Sequence, residues 1–107
     1  MAMESIRPAE LAERLKRGDE LVLLDVRRSG EIEICALPGI VHLPLSDLAS
    51  GHHELDPDAE IVCICHHGIR SAHACMMLQS YGFNTTINLT GGMDLWSMEV
   101  DSSMARY

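Results

Sequence analysis

Four apolar residues in succession, Leu21-Val22-Leu23-Leu24, run without alternation into an acid, Asp25. A strand with one wet face alternates apolar and polar positions. An unbroken apolar run instead marks a strand covered on both faces, as in a parallel sheet flanked by helices. A second run, Ile61-Val62-Cys63-Ile64, stops in the same way at Cys65. Only four of the 107 residues are Phe, Tyr or Trp, so Leu, Ile, Val, Met and Ala must fill most of the core.

The flanking segments supply the helices. Pro8 suits a first helical position and Glu10 a first turn, while Leu11 and Leu15 form an apolar stripe with Ala12 beside it. Gly18 follows Lys16 and Arg17 as a stop, which predicts a helix over Pro8–Arg17. Residues 1–6 read as a lead-in, with Ile6 in a small edge strand. Glu31 to Ala36 reads as a short helix or an irregular crossing, broken by Leu37-Pro38-Gly39. Val41-His42-Leu43 is a short strand closed by Pro44, and Ser46-Asp47-Leu48 a single helical turn ended by Gly51. A polar loop holding His52, His53, Asp56 and Asp58 leads into the strand Glu60–Ile64.

A helix is predicted from Arg70 to Tyr81, with Ala74, Met77, Leu78 and Tyr81 on its core face and Gly82 after it. Thr86–Leu89 reads as another strand, Gly91-Gly92 as an unusual backbone path, and Met93–Met98 as a last helical piece that docks Trp96. Met76, Met77 and Met93 are assigned to the core or a pocket wall, and residues 99–107 to a surface tail. The pattern is that of one α/β domain spanning 1–107, built on a mostly parallel five-stranded sheet with helices on both faces.

The chemistry concentrates in Cys65-His66-His67-Gly68-Ile69-Arg70-Ser71. A strand ends at a cysteine, a turn containing Gly68 follows, and a helix opens near Arg70 and Ser71. Helix-start N–H groups are unpaired and carry the positive end of the helix dipole. A thiolate held over them is stabilised and reactive, so Cys65 reads as a nucleophile and the turn as an anion cradle. The N–H groups of residues 66–71, the helix dipole and the Arg70 charge are the three candidate stabilisers. His66 and His67 would add partial positive charge near neutral pH, and Ser71 would cap the loop or donate to the sulfur.

Asp25-Val26-Arg27 lies just beyond the first strand's carboxyl end, where open α/β sheets build their sites. Asp25 is read as a turn cap or a partner of Arg27, with a solvated pair the plainer alternative. The net charge is −8, which disfavours nucleic acid and anionic membranes as partners. Between Arg28 and Arg106 the one Lys or Arg is Arg70, against ten Asp and Glu. Arg70 is therefore either an anion ligand, a brace on Asp25 or another acid, or an ordinary surface residue.

No stretch resembles a signal peptide or approaches membrane-spanning length, and the four cysteines read as reduced thiols, which points to the cytoplasm. Cys63 reads as a buried small hydrophobe, with Cys75 and Cys35 as packing residues before resolving thiols. A zinc site from Cys63, Cys65, His66, His67, His73 and Cys75 has poor spacing, so no metal is assigned.

Taken in order, these elements match a family. Leu23-Leu24-Asp25-Val26-Arg27, Glu31, Leu37-Pro38-Gly39, His42-Leu43-Pro44-Leu45, Cys65 through Ser71, Gly82-Phe83, Asn88-Leu89, Gly91-Gly92 and Trp96 together resemble a single-domain rhodanese-like sulfurtransferase over roughly Ile6–Trp96. The resemblance implies a central parallel sheet between two helical layers and a catalytic cysteine, Cys65, opening an active-site loop that ends at Arg70. That loop counts six residues, the length that goes with sulfur chemistry; the related phosphatases carry one more. Many members have histidine where this chain has Ala36, and glycine where it has Cys35.

The implied activity moves sulfane sulfur through a Cys65 persulfide. The donor is a small molecule such as thiosulfate or a persulfide, and the acceptor is cyanide, a thiol or a carrier protein. The alternative is a sulfur-carrier or docking module with little small-molecule turnover. The resemblance implies no cofactor.

Overall fold

The computed structural model describes residues 3–107. The chain runs β1 (Glu4–Ile6), α1 (Pro8–Lys16), β2 (Val22–Asp25), α2 (Ser29–Ile34) and β3 (Val41–His42). A helical stretch follows: a 3-10 turn at Leu45–Asp47, α3 (Leu48–Gly51) and a second 3-10 turn at His52–Glu54. Then come β4 (Glu60–Ile64), α4 (Ile69–Ser80), β5 (Thr85–Leu89) and α5 (Gly92–Glu99). All five strands lie parallel in one sheet, in the order β1-β5-β4-β2-β3. Their carboxyl ends share one edge, which carries Ile6, Asp25, His42, Ile64 and Leu89.

The unalternated runs are explained by the two cores. Along β4, Ile61 and Cys63, followed by Cys65, join Leu24, Leu48, Ala74, Cys75, Leu78 and Phe83. Val62 and Ile64 point the other way, into Leu11, Ile87, Leu89, Met93 and Trp96. Successive side chains of a strand alternate between faces, so α3 and α4 cover one face while α1 and α5 cover the other. No helix among the described residues is long and apolar enough to cross a membrane.

The expected elements are present, with shifts of at most two residues at the ends of the expected helices and of the strands β2 to β5. Two core assignments on α4 need correction. Its buried residues are Ser71, Ala74, Cys75 and Leu78, one stripe at helical spacing. Met76 lies off that stripe and is 62% exposed. Tyr81 falls just past the last helical residue, where the chain turns towards Gly82, and its ring lies on the His52 ring with centroids 4.0 Å apart. The single helical turn expected near Ser46 is part of a longer helical path over residues 45–54.

Candidate active site

Cys65 follows the last residue of β4 at the shared carboxyl edge, with 1% of its surface exposed. The Gly68 N–H donates to its Sγ at 3.0 Å, and the Ser71 Oγ lies 3.2 Å from the same sulfur. Gly68 is the residue before α4 and has φ of +95°, the left-handed region that costs glycine nothing. That turn bends the chain back so that its own N–H meets the sulfur three residues earlier. Of the loop amides expected to cradle the thiol, Gly68 alone donates to the sulfur among the described residues. The N–H groups of Ile69, Arg70 and Ser71, in the first turn of α4, have no intrahelical acceptor and remain as further donors beside it.

The loop is held from two sides. Asn88, on β5, donates through Nδ2 to the Gly68 carbonyl at 3.0 Å and accepts from the Ser71 hydroxyl at 2.5 Å through Oδ1. From the other side, the first N–H groups of α5 reach the loop carbonyls: Met93 N–H to Cys65 O at 2.9 Å and Asp94 N–H to His66 O at 3.0 Å. Gly92 makes this approach possible. A Cβ there would stand 2.3 Å from the Cys65 carbonyl oxygen. The open donors at the start of α5 thus cap the loop that feeds α4.

Arg70 is engaged by Glu31, not Asp25. Its two terminal nitrogens donate to the Glu31 carboxylate at 2.6 and 2.8 Å. Hydrogen bonds from Arg70, then from Tyr107 and the Arg28 backbone, outweigh the opposing effect of burial and hold the Glu31 carboxyl down at about 2. Tyr107 donates to the same carboxylate at 2.7 Å and accepts from Arg27 Nη1 at 3.0 Å. Burial, with Glu31 adding to it, pushes the Tyr107 hydroxyl up to about 12, so it stays protonated. The Tyr107 ring lies flat on His66, centroids 3.9 Å apart. Residues 99–107 are therefore at the surface, as expected of a tail, yet the segment folds back over the site.

Asp25 and Arg27 are both fully buried, so the solvated-pair alternative fails. Arg27 forks onto Asp25 with Nε–Oδ1 at 2.9 Å and Nη2–Oδ2 at 2.8 Å, and donates to Cys35 O at 2.7 Å. It fastens the segment after α2 to the end of β2, and none of its hydrogen bonds goes to Cys65. His66 is partly buried. Burial, followed by the neighbouring His67, pushes its ring pKa down, away from the positive charge expected of it at neutral pH. His67 and Ile69 are exposed at the mouth, Ile69 to 79%. Cys63 and Cys75 are fully buried, and their mutual hydrogen bond together with burial pushes the Cys63 thiol well up. All four cysteines are free.

In the sequence Asn88 and Glu31 stand out as matched positions, Gly92 as half of an unusual backbone path, and Tyr107 only as part of the surface tail. A cleft of about 800 Å³ is at the opposite, amino edge of the sheet beside Arg14, Asp19, Asp58 and Glu60, and no thiol lines it. A smaller one of about 280 Å³ lies between Val26, Pro44, Ser46 and Arg70 and reaches the end of the Cys65 loop.

Comparison with known proteins places the chain in one family. The family described as Rhodanese-like domain matches residues 7–99. YtwF of Bacillus subtilis is 37% identical over 99 residues, covering 92% of this chain and 95% of its own. The thiosulfate sulfurtransferase GlpE of Pseudomonas syringae is 36% identical over 89 residues, covering 83% of each. The crystal structure of a rhodanese-related protein from Thermoplasma volcanium superposes with a TM-score of 0.81 at 32% identity, over 91% of this chain and 93% of that one. The chain belongs to the rhodanese-like domain family, the family of the sulfurtransferases it resembles.

Proposed function

We propose that this protein transfers sulfane sulfur through a persulfide on Cys65. The observation that carries the reading is the sulfur of a strand-end cysteine receiving the Gly68 N–H at 3.0 Å and facing the Ser71 hydroxyl at 3.2 Å, beside the open donors of a helix start. The Gly68 N–H aimed at the sulfur favours negative charge on it and is in place before the reaction. The relationship to GlpE supports thiosulfate as the donor class.

The Cys65 thiolate attacks the outer sulfur of thiosulfate. A new S–S bond forms, the S–S bond of thiosulfate breaks, and sulfite leaves with the electron pair. An acceptor thiolate or cyanide then attacks the outer persulfide sulfur, and Cys65 returns as thiolate. In this cycle the outer sulfur takes its hydrogen bonds from the loop and first-turn N–H groups. Arg70 faces two roles at once. Its bidentate pairing with Glu31 braces the loop, and an anionic donor would reach the guanidinium by sharing it with that carboxylate. The cleft beside Arg70 is the approach we assign to the donor.

The test is sulfite release from thiosulfate in the presence of cyanide. Cys65→Ser is expected to abolish it, and turnover that survives this substitution overturns the assignment. A protein that takes up sulfur but does not turn over with cyanide would be a carrier, handing its sulfur to a protein acceptor.

A further inference from the structure

We propose that His66, His67 and Asp94 form a binding site for a borderline divalent cation of the zinc type at the mouth of the Cys65 loop. One ligand atom from each of the three residues lies within 4.8 Å of those from the other two. The His67 Nε2 and Asp94 Oδ2 stand 3.8 Å apart, and the two imidazole centroids 4.0 Å apart. Ligands in a tetrahedral zinc site sit at about 2.0–2.1 Å from the metal and hence about 3.4 Å from each other. The gap to close is a fraction of the reach of one side-chain rotation. His67 has that freedom, because 60% of its side chain is exposed.

The backbones that carry the ligands are already locked together. The Asp94 N–H donates to the His66 carbonyl at 3.0 Å, and Gly92 presses α5 against the same peptide. A site spread over a loop and a helix thus needs no rearrangement of either. The Asp94 carboxylate divides its oxygens: Oδ1 accepts from Arg106 at 3.0 Å and Oδ2 faces His67. Arg106 orients the carboxylate as an outer partner of a ligand does, leaving the second oxygen for the ion. Two imidazoles and one carboxylate suit zinc and leave a fourth position for water. The sequence hides this site because Asp94 lies far along the chain from the paired histidines.

An ion held there ties the residue after Cys65 to α5 and stiffens the loop. Occupancy is expected to slow transfer from Cys65 and to raise thermal stability.

The test is titration of Zn2+ into metal-free protein bearing Cys35→Ser and Cys65→Ser, which leaves the two buried thiols as the remaining cysteines. One equivalent is expected to bind, with ring signals of His66 and His67 shifting among the six histidines. His67→Ala and Asp94→Asn, each made in that background, are expected to weaken binding at least about tenfold. His67 is exposed, so its loss leaves the fold intact, and the circular dichroism spectrum checks this. Absence of saturable binding, or binding that survives both substitutions, overturns the site.

Discussion

Glu31 takes both terminal nitrogens of Arg70, and its Oε2 also accepts from Tyr107. One carboxylate thereby joins the end of the Cys65 loop, the helix after β2 and the C-terminal segment. Its pKa is depressed from 4.5 to about 2, chiefly by Arg70. A depressed acid stabilises the fold fully above its unfolded value and loses that contribution as pH falls through its folded value. The stability difference between wild type and Glu31→Gln is expected to be constant from neutral pH down to about 5 and to shrink between about 4.5 and 2. Urea unfolding of both proteins across that range measures it. A difference that grows towards low pH would contradict the pairing.

Ser71 stands between the sulfur and Asn88. A hydroxyl has one proton, and here it is directed to Asn88 Oδ1 at 2.5 Å. A Cys65 thiol therefore donates its own proton to Ser71 Oγ. Once the sulfur is anionic, the hydroxyl proton turns to it. Removing one hydrogen-bond donor to the charged sulfur costs about 3 kcal/mol in the transition state. Ser71→Ala is expected to lower kcat for sulfite release by about a hundredfold with an unchanged circular dichroism spectrum. An effect confined to stability would assign Ser71 a packing role only.

Gly92 has φ of +57° and its missing Cβ lies where the Cys65 carbonyl passes. Gly92→Ala adds a left-handed strain of about 1–2 kcal/mol and drives α5 off the loop. The expected outcome is a lower Tm together with loss of sulfite release. The corresponding change at Gly18, which also has positive φ but no neighbour within 4 Å, is expected to cost stability alone. Parallel melting curves and assays of the two variants separate strain from collision.

The sheet was legible because its strands are buried on both faces: Leu23, Leu24 and Ile61–Ile64 are buried throughout, and Leu21 and Val22 pack partly buried against the two cores. The Cys65 turn was legible because a strand end, a glycine and a helix start fall next to each other in sequence. What binds this turn in place was not. Asn88 and Glu31 act on it from other elements through hydrogen bonds, and Gly92 by letting α5 approach, none of which leaves a periodic trace. Tyr107 follows a polar stretch that reads as solvent-exposed, and only the fold brings it to His66 and Glu31. Arg27 illustrates the same limit. A charged pair two residues apart reads as solvated, yet both members are buried and satisfied. Tyr81 erred in the opposite sense, since helical spacing carried it onto the core face one residue after the helix had ended.

The central claim is that sulfur rests on Cys65, and intact-mass measurement after incubation with thiosulfate addresses it most directly. Wild-type protein is expected to gain one sulfur atom, to lose it on treatment with cyanide, and to show neither change as Cys65→Ala. A gain of sulfur that persists in Cys65→Ala, or no gain in the wild type with thiosulfate or a small persulfide, would contradict the account.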